Sequence, residues 1–172
     1  VRIDEVAESD WATWKALRLA ALQDAPDAFG SRFEDWRDAP EERWRHRLHD
    51  LRALNLIGSI DGDPCGMASG VPGDREGTVE LISMWVAPSA RGSGLSDELI
   101  DRVVQWAALR TDEVWLAVVP GNERAMALYR RHGFERMEEV GDELPDGSGH
   151  EILMRRRITN RPLVRTARSA SE

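Results

Sequence analysis

The sequence predicts a mixed α/β domain built on one sheet, and three observations carry that prediction. Apolar residues switch between helical and alternating spacing in a fixed order: strand, two helices, three antiparallel strands, helix, strand, helix, two strands. Asp61-Gly62-Asp63-Pro64 marks a strong hairpin turn between two of those strands. Residues 94–109 place Leu95, Leu99, Ile100, Val103, Val104 and Ala107 on one helical face.

Each element has its own signal. Val1, Ile3 and Val6 alternate over residues 1–6 as a short first strand. Ser9 or Asp10 can cap the next helix, where Trp14, Leu17, Arg18, Ala21 and Leu22 recur before Pro26 and Gly30 break the pattern. A second helical stretch over 31–50 is interrupted near Pro40, and Phe33, Trp36 and Trp44 are expected to pack it on a core. Ala53–Ile60 and Cys65–Val71 read as strands, as does Thr78–Ala87, which Pro88 ends. Val114–Val119 is a short strand, and 122–132 a helix with Asn122 as cap and Gly133 as stop. Phe134–Val140 and Glu151–Ile158 are the last strands, around the turn-rich segment Gly141–Gly149. From Thr159 the periodicity fades. Residues 1–158 are therefore expected as one domain, and 159–172 as a basic, flexible tail.

Composition narrows the function classes. An apolar share of 41% and a charged share of 31% over 172 residues suit one globular domain with a hydrophobic core. The net charge of −8 hides an asymmetry: residues 153–172 hold six arginines and one glutamate, so that end is +5 and the rest −13. A body this acidic repels a phosphate backbone, so nucleic acid is not an expected partner. No run of 18 apolar residues occurs, and the first residues lack the basic-then-apolar start of a signal peptide. A single cysteine, Cys65, excludes an intrachain disulfide and reads as a structural residue. A cytoplasmic location is expected, with no membrane partner, as a monomer or homodimer. His46 and His49 are three apart without a nearby third ligand, so no metal site is expected.

The segment from Met84 to Ser96 is a strand, a proline exit, a glycine turn and a helix start. Glycines let a backbone approach a ligand closely, and unpaired N–H groups at a helix start hold an anion. Arg91 adds donors suited to phosphate oxygens. The nucleotide P-loop pattern fails because Leu95, not lysine, follows Gly94. The dinucleotide pattern begun at Gly92 fails because Asp97 stands where its last glycine belongs. Asp97 and Glu98 suit the helix dipole but are expected to face away from a bound pyrophosphate.

This loop resembles the acetyl-CoA pyrophosphate loop of the GNAT superfamily of N-acetyltransferases, Gln/Arg-x-x-Gly-x-Gly/Ala, with Arg91 and Gly94 in register. Ser96 stands in place of the final glycine or alanine. Leu116 to Phe134 resembles the family's other signature: a strand, Asn122, Ala125, Tyr129, then Gly133-Phe134. The resemblance covers about residues 54–158. It implies the GNAT fold: a mixed central sheet of about seven strands and four main helices, with acetyl-CoA in the splay between two central parallel strands, Thr78–Ala87 and Val114–Val119. By that resemblance the backbone of Trp85 and Val86 pairs with the pantetheine arm, and Arg91, Gly92, Ser93, Gly94, Leu95 and Ser96 hold the pyrophosphate. Asn122 either contacts the pantetheine or caps its helix.

The implied reaction is acetyl transfer from acetyl-CoA, as co-substrate, to a primary amine by direct attack in a ternary complex. Tyr129 occupies the position of the family's thiolate-side tyrosine, or is a packing residue at helical spacing. Glu80 matches the base of the family's histone-acetylating members, or merely orients substrate or faces solvent. The first two helices carry Asp24, Asp27, Glu34, Asp35 and Asp38, and the late hairpin carries Asp142, Glu143 and Asp146. Lining a cleft mouth, these would favour a small cationic amine; otherwise they are ordinary solvated loops. Acetylation of a protein or peptide amine, or a non-catalytic acyl-CoA-binding module, are the alternatives.

Overall fold

A computed structural model describes residues 1–158 of the chain. Its strands are β1 (Arg2–Glu5), β2 (Leu54–Ile60), β3 (Asp63–Pro72), β4 (Val79–Val86), β5 (Glu113–Val118), β6 (Glu135–Glu143) and β7 (His150–Arg157). Its helices are α1 (Trp11–Asp24), α2 (Phe33–Arg37), α3 (Glu41–Leu48), α4 (Leu95–Ala108) and α5 (Glu123–Arg131). The strands form one seven-stranded sheet in the order β1-β2-β3-β4-β5-β7-β6. Every neighbouring pair is antiparallel except β4 and β5. Among the described residues no helix is long and apolar enough to cross a membrane.

Local chemistry explains the joints. Ile60 faces Asp63 across a two-residue turn in which Asp61 (φ 52°) and Gly62 (φ 90°) are both left-handed. That mirror-image turn matches the twist of an antiparallel pair. Asn122 caps α5 by accepting the Ala125 N–H at 3.2 Å, and Gly133 leaves the helix at φ 81°.

The two faces of the sheet carry separate clusters. On one, α4 buries Leu95, Leu99, Ile100, Val103, Val104 and Ala107, the face its periodicity predicts. Gly58 and Gly66 permit this approach: a Cβ on Gly58 would lie 2.5 Å from Leu95 Cδ1, and one on Gly66 2.9 Å from Leu95 Cδ2. The bare backbone of β2 and β3 thereby seats the first turn of α4, and with it the loop before that turn. On the other face α1 and α3 set Trp14, Leu17, Ala21, Trp44 and Leu48 against Ile57, Met67 and Trp85.

The feature that matters most for the site is a parting of strands. β4 and β5 pair only through Val79 with Val114 and Glu80 with Trp115. Between Ser69↔Ile82 and Met67↔Trp85, β4 carries one residue more than β3, and Ser83 takes a left-handed φ of 54°. Such a bulge bends its strand and increases the local twist. β5 meanwhile follows β7 from Glu113↔Arg157 to Val118↔Ile152. The two parallel strands therefore diverge beyond Glu80, each paired on its outer side.

Several expectations need correction. The 31–50 stretch is interrupted at Pro40 into the short α2 and α3, because Pro40 is extended (ψ 158°) and cannot continue α2. Asp10 does not cap α1 with its side chain; its carboxylate takes the Ala7 N–H at 2.9 Å, closing a 3-10 turn over Glu8–Asp10. β6 continues to Glu143, past the expected end at Val140, because register shifts let it rejoin β7 at Glu143↔His150. Cys65 is half-buried against the core. The expected tail, residues 159–172, lies outside the described residues.

Gly58→Ala is expected to destabilise the fold by about 1–3 kcal/mol, the range for overpacking a core. Urea unfolding measures it. In a Leu95→Ala background the same change should cost clearly less; an undiminished cost would place the conflict elsewhere than at Leu95.

Candidate active site

Past the point where β4 leaves β5, a cleft of about 300 Å³ lies between the end of β4 and the start of α5, lined among others by Met84, Trp85, Val86, Arg91, Ser96 and Asn122. Beyond Glu80 the inner edge of β4 has no strand partner, so its backbone groups are open to an extended ligand. The glycine turn lies at the end of this cleft. Gly92 (φ 80°) and Gly94 (φ 87°) are both left-handed, and Gly94 is the residue from which α4 starts. Ser93 Oγ donates to the Ala90 carbonyl at 2.6 Å and accepts the Leu95 N–H at 3.3 Å. Leu95 is fully buried, backbone included, with its N–H turned onto Ser93 Oγ. The first turn of α4 leaves further N–H groups without helical acceptors.

Arg91 is not free in this cleft. Its Nε donates to the Val86 carbonyl at 3.2 Å, and its Nη2 is paired with the carboxylate of Asp24. The same carboxylate accepts the indole N–H of Trp85 at 2.9 Å. The Trp85 hydrogen bond, aided by Arg91, holds Asp24 below the usual carboxylate range. Asp24 therefore belongs to this cleft, not to the acceptor mouth where the sequence reading placed it. The end of an amphipathic helix carries no sequence signal for that contact. Asn122 lines the cleft while its side chain caps α5. Asp97 points instead to the far end of α5: it accepts from Arg131 and lies 2.7 Å from His132 Nε2.

Glu80 faces a second cavity of about 470 Å³, which it shares with Asp74, Arg75, Glu139, Asp142 and Glu151. Burial raises the Glu80 pKa above the ordinary glutamate value, and the charges of Asp74, Glu151 and Asp142 raise it further. Glu151 is raised by burial and by Asp142. A third cavity, of about 1070 Å³, lies between the α1–α2 connection and the β6–β7 turn. Asp27, Glu34, Asp146 and Glu151 line it against one cation, Arg32. Glu151 is common to the second and third cavities, and Phe29 to the third and the cleft, so the three share walls. Sequence reasoning missed Glu151; only the β5–β7 register brings it beside the parted strands. Of the other acidic residues singled out, Asp35, Asp38 and Glu143 line none of the three.

Tyr129 is part of the core beneath α5, its ring edge-on to Phe134 at 6.0 Å between centroids. It is 9% exposed and does not line the cleft. Burial pushes its phenol up to about 12.

The family model described as Acetyltransferase (GNAT) family matches residues 13–134. The chain belongs to the GNAT acetyltransferase family. This GNAT chain is 34% identical over 131 residues to a mycothiol acetyltransferase of Beutenbergia cavernae, a match spanning 74% of the chain and 42% of that protein. It spans between 40% and 60% of the length of the curated relatives it matches. Solved structures confirm the GNAT fold. A GNAT-family acetyltransferase from Streptococcus pneumoniae superposes with a TM-score of 0.74 at 21% identity, over 91% of this chain and 99% of that one. The PaiA N-acetyltransferase from Thermoplasma acidophilum, solved with coenzyme A, gives 0.72 at 16% identity over 91% and 98%.

The raised Glu80 pKa is open to direct measurement. Carboxyl-carbon NMR is expected to show Glu80 titrating above the ordinary glutamate range of about 4.3. Asp142→Asn removes one negative neighbour and should move that titration to lower pH. A Glu80 titration that ignores Asp142→Asn would remove the coupling.

Proposed function

We propose that residues 1–158 form an acetyl-CoA-dependent N-acetyltransferase domain that acetylates a primary amine by direct attack in a ternary complex. The observation that carries this reading is the cleft past the point where β4 leaves β5, with an anion-suited helix start at its end and a carboxylate-lined cavity beside it. Family membership, and relatives named as acetyltransferases, support it.

In this reading acetyl-CoA lies as an extended substrate along the open edge of β4, its thioester near Trp85 and Val86. Arg91, Gly92, Ser93, Gly94, Leu95 and Ser96 receive the pyrophosphate through backbone N–H groups and the Arg91 side chain. For Arg91 to do so, Asp24 must release it. The acceptor enters through the large acidic cavity, whose Asp27, Glu34, Asp146 and Glu151 favour a cationic amine. An ammonium must lose a proton before it can attack. In this reading Glu80 takes it, directly or through water, and its raised pKa makes it a stronger base than an exposed glutamate. Tyr129 remains protonated near neutrality. A phenol near 12 is better suited to steadying a thiolate by hydrogen bonding than to giving its proton away.

Two sets of variants test this. Arg91→Glu should weaken acetyl-CoA binding about 10-fold or more, in keeping with loss of a charge-assisted phosphate contact. Asp24→Asn, which keeps an acceptor for Trp85 but frees Arg91, should tighten it. Calorimetry showing neither change would remove the loop from the donor site.

Glu80→Gln should abolish the acidic limb of the kcat/KM profile, which in the unaltered protein is expected above the ordinary glutamate range because the base works only when ionised. Tyr129→Phe should lower kcat by about 10-fold or more at unchanged acetyl-CoA affinity. A matching loss of folding stability and activity would instead make Tyr129 a packing residue.

A further inference from the structure

Arg18 and Arg47 lie in the layer between α1, α3 and the sheet, and neither forms an ion pair among the described residues. Arg47 is largely satisfied: its Nη1 donates to Asn55 Oδ1 at 3.0 Å and its Nη2 to Ser69 Oγ at 3.2 Å. Its guanidinium also sits 5.4 Å from the ring centre of Trp14. Arg18 is not satisfied. Its Nη1 is buried with no hydrogen-bond partner, and its one close polarisable neighbour is the ring of Phe29, 4.6 Å from the guanidinium carbon. Burial, and then the like charge of Arg47, push the Arg18 pKa down to about 10. An unpaired guanidinium in such a place works against folding at every pH below that value, because the folded state gains from losing the charge.

The unmet demand is all of one kind. Among the described residues the buried side-chain atoms without partners are two donors, Arg18 Nη1 and Trp44 Nε1, and both belong to this helical layer. Neither guanidinium has a carboxylate partner among the described residues, and Arg18 Nη1 lacks any acceptor, so its natural complement is an anion. Access is also present. Leu22, one turn beyond Arg18 on α1, and Phe29 both line the large cavity; Arg18 itself does not, and the Phe29 ring, stacked 4.6 Å from its guanidinium carbon, is what a ligand in that cavity would have to pass. Phe29 is carried by the connection between α1 and α2, which holds only turns and bends.

We propose that Arg18, backed by Arg47, receives a carboxylate of the acceptor, so that the amine acetylated is an amino acid or a similar zwitterion. This rests on the acetyl-transfer reading above and adds a substrate class to it. A carboxylate fits better than a phosphate, because Arg47 has already committed donors to Asn55 and Ser69 and one guanidinium edge suits a two-oxygen anion. The acidic lining of the same cavity argues for a zwitterion. Asp27, Glu34, Asp146 and Glu151 attract the ammonium end and would repel a molecule that was only an anion. The Phe29 ring must turn aside as the carboxylate arrives.

The test compares amines that differ only in the α-carboxylate, tyramine with tyrosine and cadaverine with lysine, by thiol release from acetyl-CoA. The carboxylated member of each pair is expected to have a kcat/KM at least about 10-fold higher, the worth of one charge-assisted hydrogen-bonded pair. Arg18→Met should erase that difference without slowing tyramine or cadaverine. It should also leave Tm unchanged or raised, since it removes a half-buried charge with an unpartnered donor. A binding arm is independent of turnover: glutarate should raise the Tm of the unaltered protein more than glutaramide does, and lose this advantage in Arg18→Met. If Arg18→Met fails to fold, Arg18→Gln replaces it in both arms. Equal rates for the paired amines, or a preference for the carboxylate that survives loss of Arg18, would overturn the proposal. So would a glutarate effect no larger than that of glutaramide. Glutarate stabilisation that depends on Arg18, in a protein that acetylates none of the four amines, would support the anion site and remove the acetyl-transfer reading instead.

Discussion

Two strands that run parallel for two residue pairs and then separate are the constraint on which the molecule is organised. A parallel pair normally continues as long as both strands do, because each further residue satisfies two more backbone groups. Here the extra residue at Ser83 bends β4 while β7 holds β5 on a straight course through six pairings. Separation leaves backbone groups open on the inner edge of β4, in a position walled by α1, α4 and α5. An exposed edge of this kind is a template for an extended partner, and its location inside a cleft keeps it from recruiting another protein chain.

The chemistry around the cleft follows from which side of the sheet each residue takes. Alternation along β4 sends Val79 and Leu81 into the core under α4 and leaves Glu80 on the opposite face. There it meets Glu151, which β7 delivers from the other side of the parted strands. Crowding of carboxylates in a partly dry cavity makes both of them reluctant to ionise. The first turn of α4 faces the other end of the cleft because Leu95 rests on glycine backbone at Gly58 and Gly66. Core packing thus sets where an anion can be held, and strand alternation sets where a proton can go.

Charge is distributed unevenly within this arrangement. Asp24 ties α1 to the loop by holding both Trp85 and Arg91. This contact couples the wall of the large acidic cavity to the cleft, since α1 and the connection after it contribute to both. Arg18 and Arg47 lie deeper in the same layer with no acid to balance them. The large cavity beside them is mostly acidic, while ion pairs such as Asp24–Arg91 and Arg75–Glu139 stand at the cleft and at the second cavity.

What the sequence determined by itself was everything governed by neighbours along the chain. The buried face of α4, the Asp61-Gly62 turn, the Asn122 cap and the Gly133 stop are set by period and by local backbone preference, and they stand where those preferences put them. The loop from Arg91 to Ser96 was legible for the same reason, because a glycine turn opening a helix is a contiguous motif. Pro40 marked a break in the helical stretch, but the count of helices came from the backbone it left behind. Tertiary structure decided the rest, because it depends on residues far apart in the chain meeting in space. Glu151 reaches Glu80 through strand order and register. Asp24 reaches Arg91 across 67 positions, and the half-buried Phe29 ring is set against the Arg18 guanidinium by the packing of the α1–α2 connection. Periodicity records which face of an element is apolar, and it carries no information about which polar group will be waiting on the element packed opposite.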